Sequence, residues 1–428
     1  MQFQPYMCNF TSLSFILIVA FGLCQVKAQT VIHYDSSYGY HLTVDTLNYD
    51  VKGVAGEENL DVLKHFGGNT IRTWTINKRI LDQAHKLGLK VIAGIWIQHM
   101  RHDESYDYND PKFILKQRKK VESIVKKYKD HPALLAWGLG NEVELHVPEA
   151  ILESVWTEMN ALAKMVKSID QKHPIMTAVA GFDAKKINDV KCFYPACDIL
   201  GVNAYGFAPE VGKLLLQYGW EKPYMITEFG PIGPWEVDDK SEWGAANEES
   251  SHEKAKRYLL AYNTAVKESP RYCLGVFPFY WSSKQETTAT WFGMFLKDGA
   301  RLEAVDAIVY GWNGEYPENR VPEIHSIKSS AKLKKIYSNS IHTASLDVID
   351  HENDLLKYRW VIMEESKEKS VGGDFERTPK SFPRSILKNM GPEVKFKAPR
   401  KKGPYRLFAY VEDVNRGAAT VNFPFYVK

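Results

Sequence analysis

Two short segments of this 428-residue chain end an apolar run on a glutamate, Trp137-Gly-Leu-Gly-Asn-Glu142 and Met225-Ile-Thr-Glu228-Phe-Gly230. An ionised carboxylate in the middle of a buried strand loses its hydration at a cost of several kcal/mol. At the point where a strand emerges, the same group can do acid–base or nucleophilic work at the mouth of a barrel. Two glutamates so placed on separate strands suggest the carboxylate pair that cleaves glycosidic bonds: one protonates the leaving oxygen and the other stabilises charge at the anomeric carbon.

The elements that must position them are legible as an alternation. Apolar runs at 49–54, 69–74, 90–97, 134–139, 175–180, 199–204, 224–227 and 274–280 predict eight strands. Between most of them, the stretches 60–66, 78–87, 111–129, 148–168, 211–218 and 249–269 show apolar spacing near three and four, several ending at a glycine such as Gly67 or Gly88. Strands this uniformly apolar are covered on both faces, and the alternation implies a parallel sheet. Eight strands over about 265 residues fit one (β/α)8 TIM barrel. Glu142 follows the fourth strand and Glu228 ends the seventh.

Beyond residue 340 the period changes to two, at 342–349, 356–364, 393–398, 405–412 and 419–427. Short alternating strands over about 90 residues predict a C-terminal all-β immunoglobulin-like sandwich. Residues 313–335, with Asn313-Gly314, Pro317, Pro322 and a basic stretch, read as a linker. The domain expectation is therefore a signal peptide at 1–28, a barrel at 29–312, a linker at 313–335 and a sandwich at 336–428. The signal rests on the eleven-residue apolar run at 13–23 and on Val26-Lys27-Ala28 before Gln29, although no Lys or Arg precedes the run. It implies export to periplasm, cell surface or medium. The run is too short to span a bilayer.

Composition narrows the classes further. Net charge is +3 and charged residues make up 25%, so nothing global favours nucleic acid or an anionic membrane. The chain carries 11 Trp and 23 Tyr, which suit the apolar faces of sugar rings as well as a core. No Gly-rich phosphate loop, CxxC or HExxH occurs, so no cofactor or metal is expected. Cys192 and Cys197 are close enough in sequence to pair, with free thiols as the alternative; Cys273 is left over. The expected partner is a polysaccharide or oligosaccharide bound by a monomer.

Asn141-Glu142 after strand four, together with Glu228 ending strand seven, resembles the clan A glycoside hydrolases, which are retaining TIM-barrel enzymes. The string Gly138-Leu-Gly-Asn-Glu142 is similar to the barrel of glycoside hydrolase family 2. A compact barrel followed by an Ig-like domain also resembles the bacterial endo-β-1,3-glucanases of glycoside hydrolase family 158. The resemblance covers residues 48–312. It implies Glu142 as general acid and then base, Glu228 as nucleophile, and Asn141 as a partner of the sugar 2-hydroxyl. It implies Arg72 as the arginine that keeps the nucleophile ionised, Tyr205 as the tyrosine bonded to that nucleophile, and Trp281 as a platform beneath the scissile sugar. Plainer readings stand beside these: Arg72 as an ordinary ion pair, Tyr205 as a rim aromatic, Trp281 as core. Trp74, Trp96, Trp235 and Trp291 lie near strand ends or in loops, and Trp74 is the one selected for substrate contact. His99, His102 and Asp103 cluster after strand three, with His99 selected to meet sugar hydroxyls rather than a metal. Glu144 lies two residues beyond Glu142 and is an alternative acid; Glu236 and Glu286 are loop residues, solvated or binding. The implied activity is retaining hydrolysis of a β-linked polysaccharide, with β-1,3-glucan cleaved internally as the substrate. A transglycosylase, a β-mannan or other β-glucan hydrolase, and a non-catalytic carbohydrate-binding protein remain open.

Overall fold

The computed structural model describes residues 29–101, 106–268, 271–368 and 374–428. The segment read as an export signal, and His102 and Asp103, lie outside the described residues. The described residues open with a small antiparallel sheet, β1 Thr30–Asp35, β2 Gly39–Val44 and β3 Leu47–Asn48. The barrel wall follows as β4 Gly53–Ala55, β5 Thr70–Arg72, β6 Lys90–Ile95, β7 Leu134–Asn141, β8 Ile175–Ala180, β9 Ile199–Asn203, β10 Tyr224–Phe229 and β11 Cys273–Pro278. These eight strands pair in sequence order, all parallel, and a bridge between Ala55 and Phe279 joins the last to the first. Each lies within or beside one of the eight predicted runs. β7 and β10 are buried along their whole length, as a sheet covered on both faces requires.

The helices are α1 Leu60–His65, α2 Lys78–Lys86, α3 Pro111–Tyr128, α4 Glu149–Ile169, α5 Ala184–Phe193, α6 Val211–Gln217, α7 Ser251–Tyr262 and α8 Glu303–Asn313. Their starts are set locally. Asn77, Asp110 and Asp183 each accept a hydrogen bond from a first-turn N–H, Pro111 occupies the position where no donor is needed, and Ser250 with Glu253 forms a reciprocal capping box. None of the helices among the described residues is long and apolar enough to cross a membrane.

The N-terminal sheet is not part of the wall. Leu42 and Val44 of β2 pack with Leu135, Met176, Ile199, Met225 and Leu274, which lie at the starts of barrel strands. The sheet therefore plugs the mouth opposite the strand ends.

Two sheets form the C-terminal sandwich, from β12 Arg301–Leu302, β13 Glu323–Ser329, β14 Lys335–Ile336, β15 Ile341–Ile349, β16 Lys357–Glu364, β17 Ile386–Asn389, β18 Glu393–Lys397, β19 Gly403–Glu412 and β20 Gly417–Val427. One sheet runs β12-β20-β19-β16 with β14 also on β20; the other runs β13-β15-β18-β17. Between them pack Ile324, Trp360, Ile362, Phe396, Leu407, Phe423 and Phe425. The expected linker is corrected here. Within 313–335, Ile324 and Ile327 of β13 enter the sandwich core, so the sandwich takes strands from this segment. Barrel and sandwich are joined by an apolar seam of Leu296, Leu302, Phe408, Tyr410 and Ala418. Polar bonds run beside it: Asn422 Nδ2 donates to Glu248 at 2.6 Å and the Thr420 N–H to Ser251 Oγ at 2.9 Å. Cys192, Cys197 and Cys273 are all free thiols, Cys192 exposed and Cys197 buried.

Candidate active site

The ends of β5, β7, β9 and β10 deliver Arg72, Asn141, Asn203 and Glu228 to one mouth of the barrel. Glu142 follows β7 with a left-handed backbone (φ 53°), two residues after Gly140, which is also left-handed (φ 75°). Its N–H is fixed by the Ala178 carbonyl at 2.8 Å. Here the chain leaves the wall, and the turn carries the Glu142 side chain to the cavity rather than into the helix layer. Glu142 and Glu228 line the same cavity of about 680 Å³, together with Trp74, Trp96, Arg101, Tyr205, Trp235 and Tyr280.

The two carboxylates are held differently. Glu228 Oε1 accepts from Arg72 Nη1 at 2.7 Å and from the Trp74 indole N–H at 3.1 Å, and Oε2 accepts from the Tyr205 hydroxyl at 2.8 Å. Three donors orient this group, and the guanidinium also stacks 4.5 Å from the Trp74 ring. Glu142 Oε1 accepts from Asn203 Nδ2 at 2.9 Å and Oε2 from Arg101 Nη1 at 3.0 Å. Burial pushes its carboxyl up to about 7, and the nearby Glu228 charge adds to this, while Asn203 and Arg101 pull it back. Burial first, and then the surrounding carboxylates, raise the Tyr205 hydroxyl well above its ordinary range, so it stays a donor.

A hydrogen-bonded chain connects the pair. Arg72 Nη2 and Asn203 Nδ2 both donate to Asn141 Oδ1, at 2.5 and 3.2 Å. With Oδ1 so engaged, Asn141 keeps its amide N–H groups for a ligand. Thr227 Oγ1 donates to Asn203 Oδ1 at 2.8 Å and fixes the orientation of that amide.

Of the residues singled out in the sequence, Arg72, Asn141, Glu142, Tyr205, Glu228 and Trp74 are brought together. Two are not. Trp281 is 0% exposed, donates its indole N–H to the Asn59 carbonyl at 3.2 Å, and packs on Phe295 and Trp312 in the helix layer. It is core, and Phe279 and Tyr280 line the cavity in its place. His99 is likewise 0% exposed; its ring contacts Trp96, and it lies behind the cavity wall rather than on it. Trp96 and Trp235 line the cavity, whereas the Trp291 indole is tied to the Ile232 carbonyl outside it. Glu144 accepts from the Ala180 N–H and from Lys186 Nζ, both at 2.8 Å; it does not line the cavity.

Sequence reasoning missed Arg101, Asn203 and Lys284. Asn203 carried a usable signal, because it ends an apolar strand as Glu228 does. Arg101 and Lys284 sit in loops, where no period marks them. Glu286 is also more than a loop acid: it is buried in the cavity wall, 3.5 Å from Lys284 Nζ, and burial pushes its carboxyl up to about 7 despite that cation.

Residues 52–232 match the family model for glycosyl hydrolases family 2, TIM barrel domain. Among curated proteins no sequence relative is found. Solved structures of similar fold include the β-glucuronidase of Bacteroides uniformis, with TM-score 0.51 and 15% identity over 93% of this chain and 48% of that one. Another is the β-glucuronidase of Ruminococcus gnavus, with TM-score 0.50 and 17% identity over 67% of this chain and 53% of that one. The chain spans about half the length of these neighbours, and identities this low show a shared fold. The part of the wall that presents Glu142 and Glu228 lies within the matched residues and is therefore similar to the TIM barrel domain of family 2 glycosyl hydrolases.

Proposed function

We propose that the protein is a retaining β-glycoside hydrolase in which Glu142 is the acid and then the base, and Glu228 the nucleophile. The observation that carries this reading is the unequal environment of two carboxylates in one cavity. Glu142, raised to about 7, can hold a proton at neutral pH and deliver it to the leaving oxygen. Glu228 is aimed by three donors, as a group that must attack one carbon needs to be. In the first step Glu228 bonds to the anomeric carbon as the C–O bond breaks and the Glu142 proton goes to the departing oxygen. In the second, Glu142 takes a proton from water, whose oxygen displaces Glu228. The Asn141 amide is placed to bond the sugar 2-hydroxyl.

For the substrate we favour a neutral β-glucan, with β-1,3-linked glucose cleaved internally. Trp74, Trp96, Tyr205, Phe207, Trp235, Phe279 and Tyr280 give the cavity aromatic faces for sugar rings. Its charged lining is dominated by carboxylates, namely Glu142, Glu228, Glu236, Glu286 and Asp374. The cations Arg101 and Lys284 are paired with Glu142 and Glu286. A substrate carboxylate would meet net repulsion there. The second reading, a uronide, rests on those two cations and on the β-glucuronidase names of the structural neighbours.

The test is product analysis on laminarin, lichenan and mannan, alongside the 4-nitrophenyl β-glucoside and β-glucuronide. Oligosaccharides from laminarin, with β-configured reducing ends in proton NMR spectra, are the expected outcome. Turnover of the glucuronide alone would replace the substrate reading, and α-configured first products would overturn the double displacement. Exported localisation and monomeric state are proposed with it: gel filtration of the secreted protein at the mass of one chain is the check.

A further inference from the structure

We propose that Asp350, Asp354, Asp413 and Asn319 form a calcium site, away from the active-site cavity, that clamps the sandwich to the segment leaving the barrel. Asp350 and Asp354 belong to the loop between β15 and β16, Asp413 opens the turn between β19 and β20, and Asn319 lies between α8 and β13. One oxygen from each of the three carboxylates lies within 4.8 Å of the others. Three anions at that spacing repel one another unless a cation stands among them.

The basic side chains around them are committed elsewhere. Arg320 and His351 pair with Glu323 at 2.5 and 2.8 Å, Arg301 pairs with Asp306 at 3.0 Å and also donates to the Asn319 backbone carbonyl, and Arg416 donates to the Asp298 carbonyl.

A second, independent observation concerns unmet acceptors. Asp413 is 6% exposed. Its Oδ2, the Oδ2 of Asp350 and the Oδ1 of Asn319 are buried oxygens with no donor among the described residues. An orphaned buried acceptor carries a desolvation cost and calls for a partner. The remaining oxygens are fixed by the turns themselves. Asp413 Oδ1 accepts from the N–H groups of Asn415 and Gly417, both at 2.7 Å. Asp350 Oδ1 accepts from the Asp354 N–H at 2.7 Å. Asp354 Oδ2 accepts from the amides of Asn319 and Asn415, both at 2.9 Å. Gly417 leaves room beside Asp413 Oδ2, since a Cβ there would lie 2.3 Å from it.

The donor set is all oxygen, carboxylate and amide, without imidazole or thiolate. That excludes the preferences of zinc and fits a hard cation. The donors come from three separate segments of irregular backbone, which suits the variable six-to-eight coordination of Ca²⁺ better than the strict octahedron of Mg²⁺.

The experiment is calorimetric titration of CaCl2 into the EGTA-treated full chain, with thermal unfolding in parallel. We expect one Ca²⁺ per chain and a Tm rise of about 3 °C at a hundredfold excess over Kd. Mg²⁺ should bind at least about tenfold more weakly. Asp413→Asn and Asp350→Asn should each weaken Ca²⁺ binding at least about tenfold. No heat and no Tm shift up to about 10 mM CaCl2 would overturn the assignment. So would wild-type affinity in Asp350→Asn, a half-buried loop position that keeps the test readable if Asp413→Asn fails to fold.

Discussion

At the mouth where its strands begin, the barrel is closed by Leu42 and Val44, packed on Leu135, Met176, Ile199, Met225 and Leu274. At the mouth where they end stand Arg72, Asn141, Glu142, Asn203 and Glu228, buried as deeply but polar. The apolar plug gains from losing water and needs no partner. The polar mouth is solvent-poor and is stable only because each group bonds another. Desolvation and unequal pairing set the two glutamates apart chemically. The same burial that stabilises one end creates reactivity at the other.

That contrast can be broken from either side. The largest effect is expected for Glu228→Gln, which keeps the shape and removes the attacking charge. Turnover should fall by about 10⁴-fold or more with a circular dichroism spectrum and Tm close to wild type. Near-normal turnover would remove Glu228 from the chemistry. Glu142→Ala should lose about 10²–10⁴-fold on polysaccharide and far less on dinitrophenyl glycosides, whose leaving groups need little help from a proton. Equal losses on both would count against the acid role.

The raised Glu142 carboxyl sharpens the contrast through pH. Its ordinary value of 4.5 applies to the unfolded chain and about 7 to the fold. Activity that needs the protonated acid should therefore decline as pH rises through about 7, read as the alkaline limb of kcat/KM. Between those two values the folded state binds more protons, so stability should fall as pH rises across the same window. Glu142→Gln should weaken that dependence in chemical denaturation, leaving the share that Glu286, likewise raised to about 7, contributes. The smallest effect on activity is expected at the plug. Leu42→Ala should cost about 2–5 kcal/mol of stability while kcat stays within about threefold of wild type, a difference below 1 kcal/mol in barrier. A large kcat loss there would mean the two mouths are coupled.

The barrel was readable because each strand is an uninterrupted apolar run, and the acids because each stops such a run. β13 was hidden by Glu323, His325 and Lys328, whose charges interrupt the alternation that Ile324 and Ile327 carry. The plug escaped notice because β1 shows His33, Tyr34 and Asp35 to the outside, and nothing local says that Leu42 will meet strand starts far along the chain. Trp281 was misplaced by where the wall ends. β11 stops at Pro278, Phe279 and Tyr280 turn to the cavity, and the indole behind them falls into the helix layer. Arg101 and Lys284 reach the site by loop conformation alone, which side-chain periodicity does not encode.

β12 has a consequence for anyone who would divide the molecule. Arg301 and Leu302 precede α8, the last barrel helix, yet they hydrogen-bond as the edge of the sandwich sheet, opposite Gly417 and Ala418. A cut after α8 would not sever a tether. It would strip a neighbour from a ladder, bare Leu296 and Leu302, and leave the excised barrel half with a sticky seam, so the two halves should be expressed and engineered as one piece.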